Sequence, residues 1–161
     1  MLDLLILWES VYHVNMIDSF NQTSHQAIEA LYFAYRAFTE QPDLILEKRG
    51  LNRVHHRILY FVGRQSEQTI NELLATLQVS KQALNAPLRQ LIEMQLVSIK
   101  PSSVDKRKRL LCLTPKGSEL ERLLTKTQID QLNAAFKAAG TQSIEGWFEV
   151  MRHLNSGQID A

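Results

Sequence analysis

The sequence predicts a mainly α fold carrying one small β-hairpin (α+β), and three observations predict it. Apolar residues recur at helical spacing through most of the 161 residues. A capping signal at Thr69 is followed by a second N-cap residue at Ser80, which frames two short helices in tandem. Between Leu96 and Thr114 the apolar pattern switches to that of two strands around a basic loop.

The elements follow in order. Met1 to Leu7 is apolar but lacks a basic leader region, and Asp3 and Glu9 interrupt it, so neither an export signal nor a membrane span is expected. Residues 1–23 read as an N-terminal extension. Leu2, Leu5, Ile6, Val11, Val14 and Ile17 could make it an extra amphipathic helix, or Met16 is the natural start. From Ser24 the stripe Ile28, Leu31, Tyr32, Tyr35 and Phe38 predicts a long helix ending near Gln41-Pro42-Asp43. Leu51, Val54, Ile58, Phe61 and Val62 predict a second helix closing near Gly63. Thr69-Ile70-Asn71-Glu72 is a capping box in which hydroxyl and carboxylate each accept from the other residue's backbone N–H, so a short helix with Ile70, Leu73, Leu74 and Leu77 inward starts there. Ser80 caps a fourth helix running towards Met94, with Ala83, Leu84, Leu88, Leu91 and Ile92 inward. Short helix, tight turn and helix make a helix-turn-helix. Leu96 to Lys100 and Arg109 to Thr114 then form a hairpin, or wing, around the polar loop Pro101 to Lys108. Thr114-Pro115 starts a helix with Leu120, Leu123, Leu124, Leu132 and Phe136, stopped by Gly140. A last helix from about Thr141 carries Ile144, Trp147, Phe148, Met151 and Leu154 on one face.

Charge narrows the function. The chain is 45% hydrophobic and 22% charged, with a formal charge of +1, which excludes a globally basic coat and an acidic disordered tail. Its single cysteine, Cys112, excludes an intrachain disulfide framework, and a reducing cytoplasm fits best. Between Lys81 and Arg109, however, seven cationic side chains oppose only Glu93 and Asp105, a local excess of +5 that leaves −4 for the remainder. In a winged helix-turn-helix those cations share one face, the footprint of a polyanion binder. Lys81, Gln82 and Asn85 follow Ser80 in the first turns of the fourth helix, where side chains reach base edges. Gln and Asn can pair bidentately with adenine, and Lys reaches guanine or phosphate. The Ser80 hydroxyl and the helix start favour a phosphate oxygen, and Arg89 suits a backbone contact. Solvated faces alone would also look like this, but such faces rarely combine with a helix-turn-helix.

The order of elements and several segments resemble the MarR family of winged-helix transcription regulators. The carrying residues are Val79-Ser80-Lys81, Leu91-Ile92-Glu93 before Leu96-Val97, and Asp105-Lys106-Arg107 running into Leu111-Cys112-Leu113-Thr114-Pro115-Lys116-Gly117. The resemblance spans about Ser24 to Asn155, a domain of residues 24–155. It implies a winged helix-turn-helix over about 51–114 and dimerisation helices at about 24–41 and 115–155. It also implies a homodimer whose wings each put an Arg into the minor groove. Carried over, that residue is Arg107, flanked by Lys106 and Lys108, with Asp105 bracing it or the wing. Two departures stand out. Gln95 occupies the turn position where the family commonly has Gly, and Pro87 lies inside the reading helix, predicting a kinked or two-part element. Ala86 stands where many relatives carry an Arg.

Other candidates have plainer readings beside the functional ones. His55 and His56 are adjacent on a helix and point apart, so no metal site is expected from them with His13, His25 or His153. Lys48, Arg49, Arg53, Arg57 and Arg64 form a second basic cluster, read first as solvated or ion-paired and second as lining a pocket for an anionic effector. Tyr32, Tyr35, Phe38, Trp147 and Phe148 read first as interface core and second as effector-pocket lining. Tyr32, Tyr35, Arg53 and Arg57 are thus the candidate effector-pocket residues. Cys112 alternates with Leu111 and Leu113 and reads as buried packing, not a redox sensor. No phosphate-cradling Gly loop, metal-ligand motif or nucleophile–base set is recognisable, so neither enzyme nor cofactor is expected.

The leading expectation is therefore a cytoplasmic, homodimeric repressor that binds a pseudo-palindromic operator in double-stranded DNA and responds to a small-molecule effector. The alternative is a winged-helix protein-interaction module with weak or no DNA binding, favoured by Pro87 and Ala86 and opposed by the +5 segment.

Overall fold

A computed structural model describes residues 2–65 and 67–156, with side chains from position 21 onward. It divides into two compact units, Met1–Glu40 and Gln41–Ala161. Helix α1 (Leu2–Glu47) supplies the whole of the described first unit. No break separates residues 2–23 from the helix expected after Ser24. Within this unit Ile28, Leu31, Tyr32, Phe33 and Tyr35 are all exposed, Phe33 at 60%. The Arg36 guanidinium sits 5.9 Å from the centre of the Tyr32 ring.

The second unit begins with the last turns of α1. The helix does not end at Pro42 as expected but passes through it to Glu47. Burial of Pro42 and of Leu46 offsets the hydrogen bond that proline cannot make. Gly50, at φ +67°, then turns the chain, and the Leu51 N–H reaches back to the Leu46 carbonyl at 3.0 Å. There follow α2 (Arg53–Arg64), β1 (Gln68–Thr69), α3 (Ile70–Leu77), α4 (Lys81–Glu93), β2 (Val97–Pro101), β3 (Arg109–Leu113), α5 (Pro115–Ala139) and α6 (Thr141–Ser156).

Mainly helical with a small sheet is the class the sequence predicts, but the sheet has a third strand. Its antiparallel order is β1-β3-β2, with Val97 opposite Leu113, Pro101 opposite Arg109, and Gln68 opposite Leu111. Two residues of β1 are too few to display alternation. Gln68 is buried and donates from Nε2 to the Phe61 carbonyl at 2.7 Å.

The core gathers Leu46 and Leu51 with Ile58 and Val62 of α2, Leu73 of α3, Leu84 and Leu91 of α4, Val97 and Leu111 of the hairpin, and Leu120 and Leu124 of α5. Ala83, expected inward, lies outside it, as do several members of the helical stripes. Val54, Ala83, Leu123, Trp147, Phe148 and Leu154 are exposed in the single chain. Ala83 sits one position before the buried row of α4. The α6 residues face away from the core, and no described residue of α6 is buried.

Candidate nucleic-acid interface

Helix α4 starts where its sequence says it should. Ser80 has extended backbone geometry and its Oγ accepts the Ala83 N–H at 3.2 Å. Leu84, Leu88 and Leu91 form the buried row. Lys81, Gln82, Asn85, Ala86 and Arg89 occupy the opposite, exposed side. Pro87 does not split the helix. The element runs uninterrupted from Lys81 to Glu93, which corrects the two-part expectation. The proline withholds only the N–H that would bond the Ala83 carbonyl, and burial of its neighbours Leu84, Leu88 and Leu91 holds the helix together around it. Arg89 Nε lies 3.7 Å from the Glu93 carboxylate one turn on, with both side chains exposed.

The wing is built from its own loop. Ser102 Oγ accepts the N–H groups of Val104 and Asp105, at 3.2 and 3.3 Å. The Asp105 carboxylate accepts the Arg107 N–H at 3.0 Å, the Ser102 N–H donates to the Lys108 carbonyl and the Lys108 N–H to the Asp105 carbonyl. Asp105 therefore supports the wing backbone, the second of the two roles the resemblance offered. Lys106, Arg107 and Lys108 remain exposed around it. At the foot of the wing, hydrogen bonds from the Thr69 backbone and hydroxyl hold the Glu72 carboxyl below its ordinary value, and the nearby Lys108 charge adds to that effect. Lys108 is thus an electrostatic neighbour of the start of α3.

Two sets of contacts fix α4 and the wing, and neither was visible from charge patterning. In the first, the buried His55 accepts the Asn52 N–H at Nδ1 (3.1 Å), and its Nε2 lies 3.0 Å from Gln90 Oε1. Gln90 in turn donates from Nε2 to the Gly50 carbonyl at 3.0 Å. Burial lowers the His55 pKa against the opposing pull of Gln90, which favours the neutral ring, and Nδ1 also lies 2.9 Å from Asn52 Oδ1. The second set uses the Leu113-Thr114-Pro115-Lys116-Gly117 segment. Thr114 Oγ1 donates to the Gln95 carbonyl at 2.6 Å and accepts the Gly117 N–H at 3.0 Å. Lys116 Nζ donates to the Met94 carbonyl, at 3.3 Å. Gly117 has no side chain because a Cβ there would stand 1.9 Å from the Leu96 carbonyl oxygen. These contacts surround Gln95, which adopts φ +58° itself, the left-handed turn usually left to glycine.

The remaining candidates separate. Arg53 forms a two-pronged pair with Asp43, Nε to Oδ2 at 2.8 Å and Nη2 to Oδ2 at 2.6 Å, and Arg49 donates to the Ile45 carbonyl at 2.7 Å. Arg57 is exposed on α2. Tyr32 and Tyr35 belong to the first unit and Arg53 and Arg57 to the second. His56 is buried, its Nε2 has no hydrogen-bond partner among the described residues, and desolvation lowers its pKa despite the opposing Glu121 and Asp43 charges. Cys112, opposite Ser98 in the hairpin, is half-buried on β3 and so more open than expected. Among the described residues no cluster of three or more His, Cys, Asp or Glu could hold a metal ion, and no helix is long and apolar enough to cross a membrane.

Comparison with known proteins agrees with this geometry. The MarR family profile matches residues 49–108. The chain is 44% identical over 129 residues to the HTH-type transcriptional regulator PetP of Rhodobacter capsulatus, covering 80% of this chain and 78% of that protein. An uncharacterized HTH-type transcriptional regulator of Staphylococcus aureus is 29% identical over 132 residues, covering 82% and 90%. Among solved structures, Staphylococcus aureus MarR in complex with salicylate and kanamycin superposes with a TM-score of 0.66 at 25% identity, over 85% of this chain and 93% of that one. An S. aureus MepR mutant bound to an oligodeoxyribonucleotide gives 0.55 at 18% identity, over 82% and 98%. The exposed reading helix, the basic wing and these matches lead to one conclusion: the chain belongs to the MarR family of DNA-binding, winged-helix transcription regulators.

Proposed function

We propose that this regulator is a cytoplasmic homodimer that represses by binding a pseudo-palindromic operator and releases it when a small molecule binds. The observation that carries the reading is the outer side of α4, where Lys81, Gln82, Asn85 and Arg89 are exposed, in the same compact unit as a pre-shaped basic wing. Lys81, Gln82 and Asn85 read base edges, Ser80 and Arg89 meet phosphate, and Arg107 enters the minor groove between Lys106 and Lys108. Asp105 holds the wing for them.

Dimerisation is supported by apolar surface that a lone subunit leaves in water. Leu31, Tyr32 and Tyr35 on α1 and Trp147, Phe148 and Leu154 on α6 are exposed. On this reading Tyr32 and Tyr35 belong to the subunit interface, and Arg53 and Arg57 are ion-paired or solvated. Two reading helices in successive major grooves must stand about 34–36 Å apart, so a ligand that alters the angle between subunits alters affinity. Salicylate bound to the S. aureus MarR and the oligonucleotide bound to MepR support the same scheme.

The test is duplex titration with wild type and Arg107→Ala across a salt series. The variant should bind all sequences more weakly, with a log K versus log salt slope about one unit shallower. An unchanged slope and affinity would refute the wing assignment. Failure of the wild type to bind even nonspecific duplex at low salt would favour a protein partner for this surface.

A further inference from the structure

Helix α4 is one hydrogen bond short in its middle. Pro87 has no N–H to give the Ala83 carbonyl, just beyond the turns that carry Lys81, Gln82 and Asn85. On the flank of the helix, between the buried Leu91 and the exposed Arg89, the half-buried Gln90 reaches two anchors at the corner between α1 and α2. Its Nε2 donates to the Gly50 carbonyl at 3.0 Å, and its Oε1 lies 3.0 Å from His55 Nε2. Both anchors are themselves fixed. The Gly50 N–H donates to the Glu47 carbonyl at 3.0 Å, and His55 is buried and shares a capping box with Asn52. One amide therefore ties the reading helix, across 40 and 35 residues of chain, to the turn after α1 and the first turn of α2.

We propose that Gln90 is a positioning residue for base readout: its two hydrogen bonds set the roll of α4 about its own axis, and so the preference for one sequence over DNA in general. Apolar packing of Leu84, Leu88 and Leu91 is non-directional and leaves roll soft, whereas hydrogen bonds are directional. One bond on the flank would act as a pivot, and two on separate anchors resist rotation. A roll of about 10° carries side-chain tips, roughly 5–6 Å from the axis, through about 1 Å. That displacement takes a bond from Gln82 or Asn85 to a base edge out of its range of roughly 2.7–3.2 Å. It changes the attraction of Lys81 or Arg89 for a phosphate far less, because Coulomb energy falls only as the inverse of distance. Gln90 need not touch DNA, since it acts through Gln82 and Asn85. The inference rests on α4 being the base-reading helix.

The probe is the tightest duplex that the wild-type full chain selects from a randomised pool, with a scrambled duplex of the same base composition as the nonspecific control. Gln90→Leu keeps the bulk and helix propensity of the side chain and removes both bonds. It should bind the selected duplex about tenfold more weakly and the scrambled duplex within about twofold of wild type. The slope of log K against log salt should not change, because no charge is lost. A double variant, His55→Leu with Gln90→Leu, replaces both buried polar partners by apolar ones and keeps the test decisive where the single variant folds poorly. Its urea midpoint should return towards that of wild type while the selected duplex stays about tenfold weaker. Specificity recovered together with stability, an equal loss on both duplexes, or no loss on the selected one would overturn the positioning role. A wild type that selects no sequence would overturn base reading by α4 and this role with it, whereas a selective wild type indifferent to Gln90→Leu would overturn this role alone.

Discussion

Replacing Gly117 with alanine tests how the wing is attached. Alanine is ordinarily the better helix residue by about 1 kcal/mol, so an unconstrained helical glycine gains from the change. At Gly117 the new Cβ would stand 1.9 Å from the Leu96 carbonyl oxygen and 2.8 Å from its carbon. Ordinary contact needs more than 3 Å, and both neighbours are backbone, so α5 and the start of β2 must separate by over an ångström. Overpacking of this kind costs about 1–3 kcal/mol. The separation also strains the Thr114 bonds to the Gln95 and Leu96 carbonyls, worth about 1 kcal/mol each. Set against the propensity gain, Gly117→Ala should destabilise by about 2–4 kcal/mol. Urea unfolding at fixed protein concentration measures this, with an unchanged m-value confirming a native-state effect. A variant as stable as wild type, or more stable, would refute the close approach of α5 to Leu96.

Three further outcomes are expected. Glu93→Gln removes the acid beside Arg89 and should tighten duplex binding about two- to fivefold in a low-salt titration, whereas weaker binding would mean that the pair positions Arg89. Gln95→Gly relieves a left-handed glutamine and should raise stability by about 0.5–1 kcal/mol in the same urea assay, a loss counting against backbone strain at the turn. Burial lowers the pKa of both His55 and His56 from 6.5, so the unfolded chain takes up their protons first. Their contribution to stability is complete above pH 6.5 and is lost as pH falls towards the folded-state values, at no more than about 1.4 kcal/mol per pH unit for each proton. Urea midpoints at pH 7.5 and 5.5 should therefore fall with acidity, and a flat or rising trend would contradict neutral, buried rings.

Local signals carried well from sequence to structure. Thr69 and Glu72 make the reciprocal bonds their spacing implied, Ser80 and Thr114 cap their helices, and the strands of the wing pair as their period suggested. What escaped were features decided by tertiary contact. Asn52 and His55 form a second capping box, but histidine is not the usual partner and no pattern announced it. Gln90 carries no sequence signal that sets it apart on α4, yet it bonds His55 and Gly50. Pro42 and Pro87 break helices by local rules, and buried leucines overrule both. The exposed basic surface of the candidate interface was legible in the cations between Lys81 and Arg109. The supports beneath it were not, because a hydrogen bond across 35 residues leaves no periodicity.

The loop that carries Arg107 is already folded before any nucleic acid arrives. Ser102, Asp105 and Lys108 accept the N–H groups of Ser102, Val104, Asp105, Arg107 and Lys108. The entropy of arranging that fingertip is therefore spent during folding, and docking has only side-chain rotamers left to freeze. On the proposed reading, encounter should accordingly be governed by charge and diffusion, with wing substitutions that keep the charge and spare Ser102 and Asp105 altering how long the complex lasts more than how fast it forms.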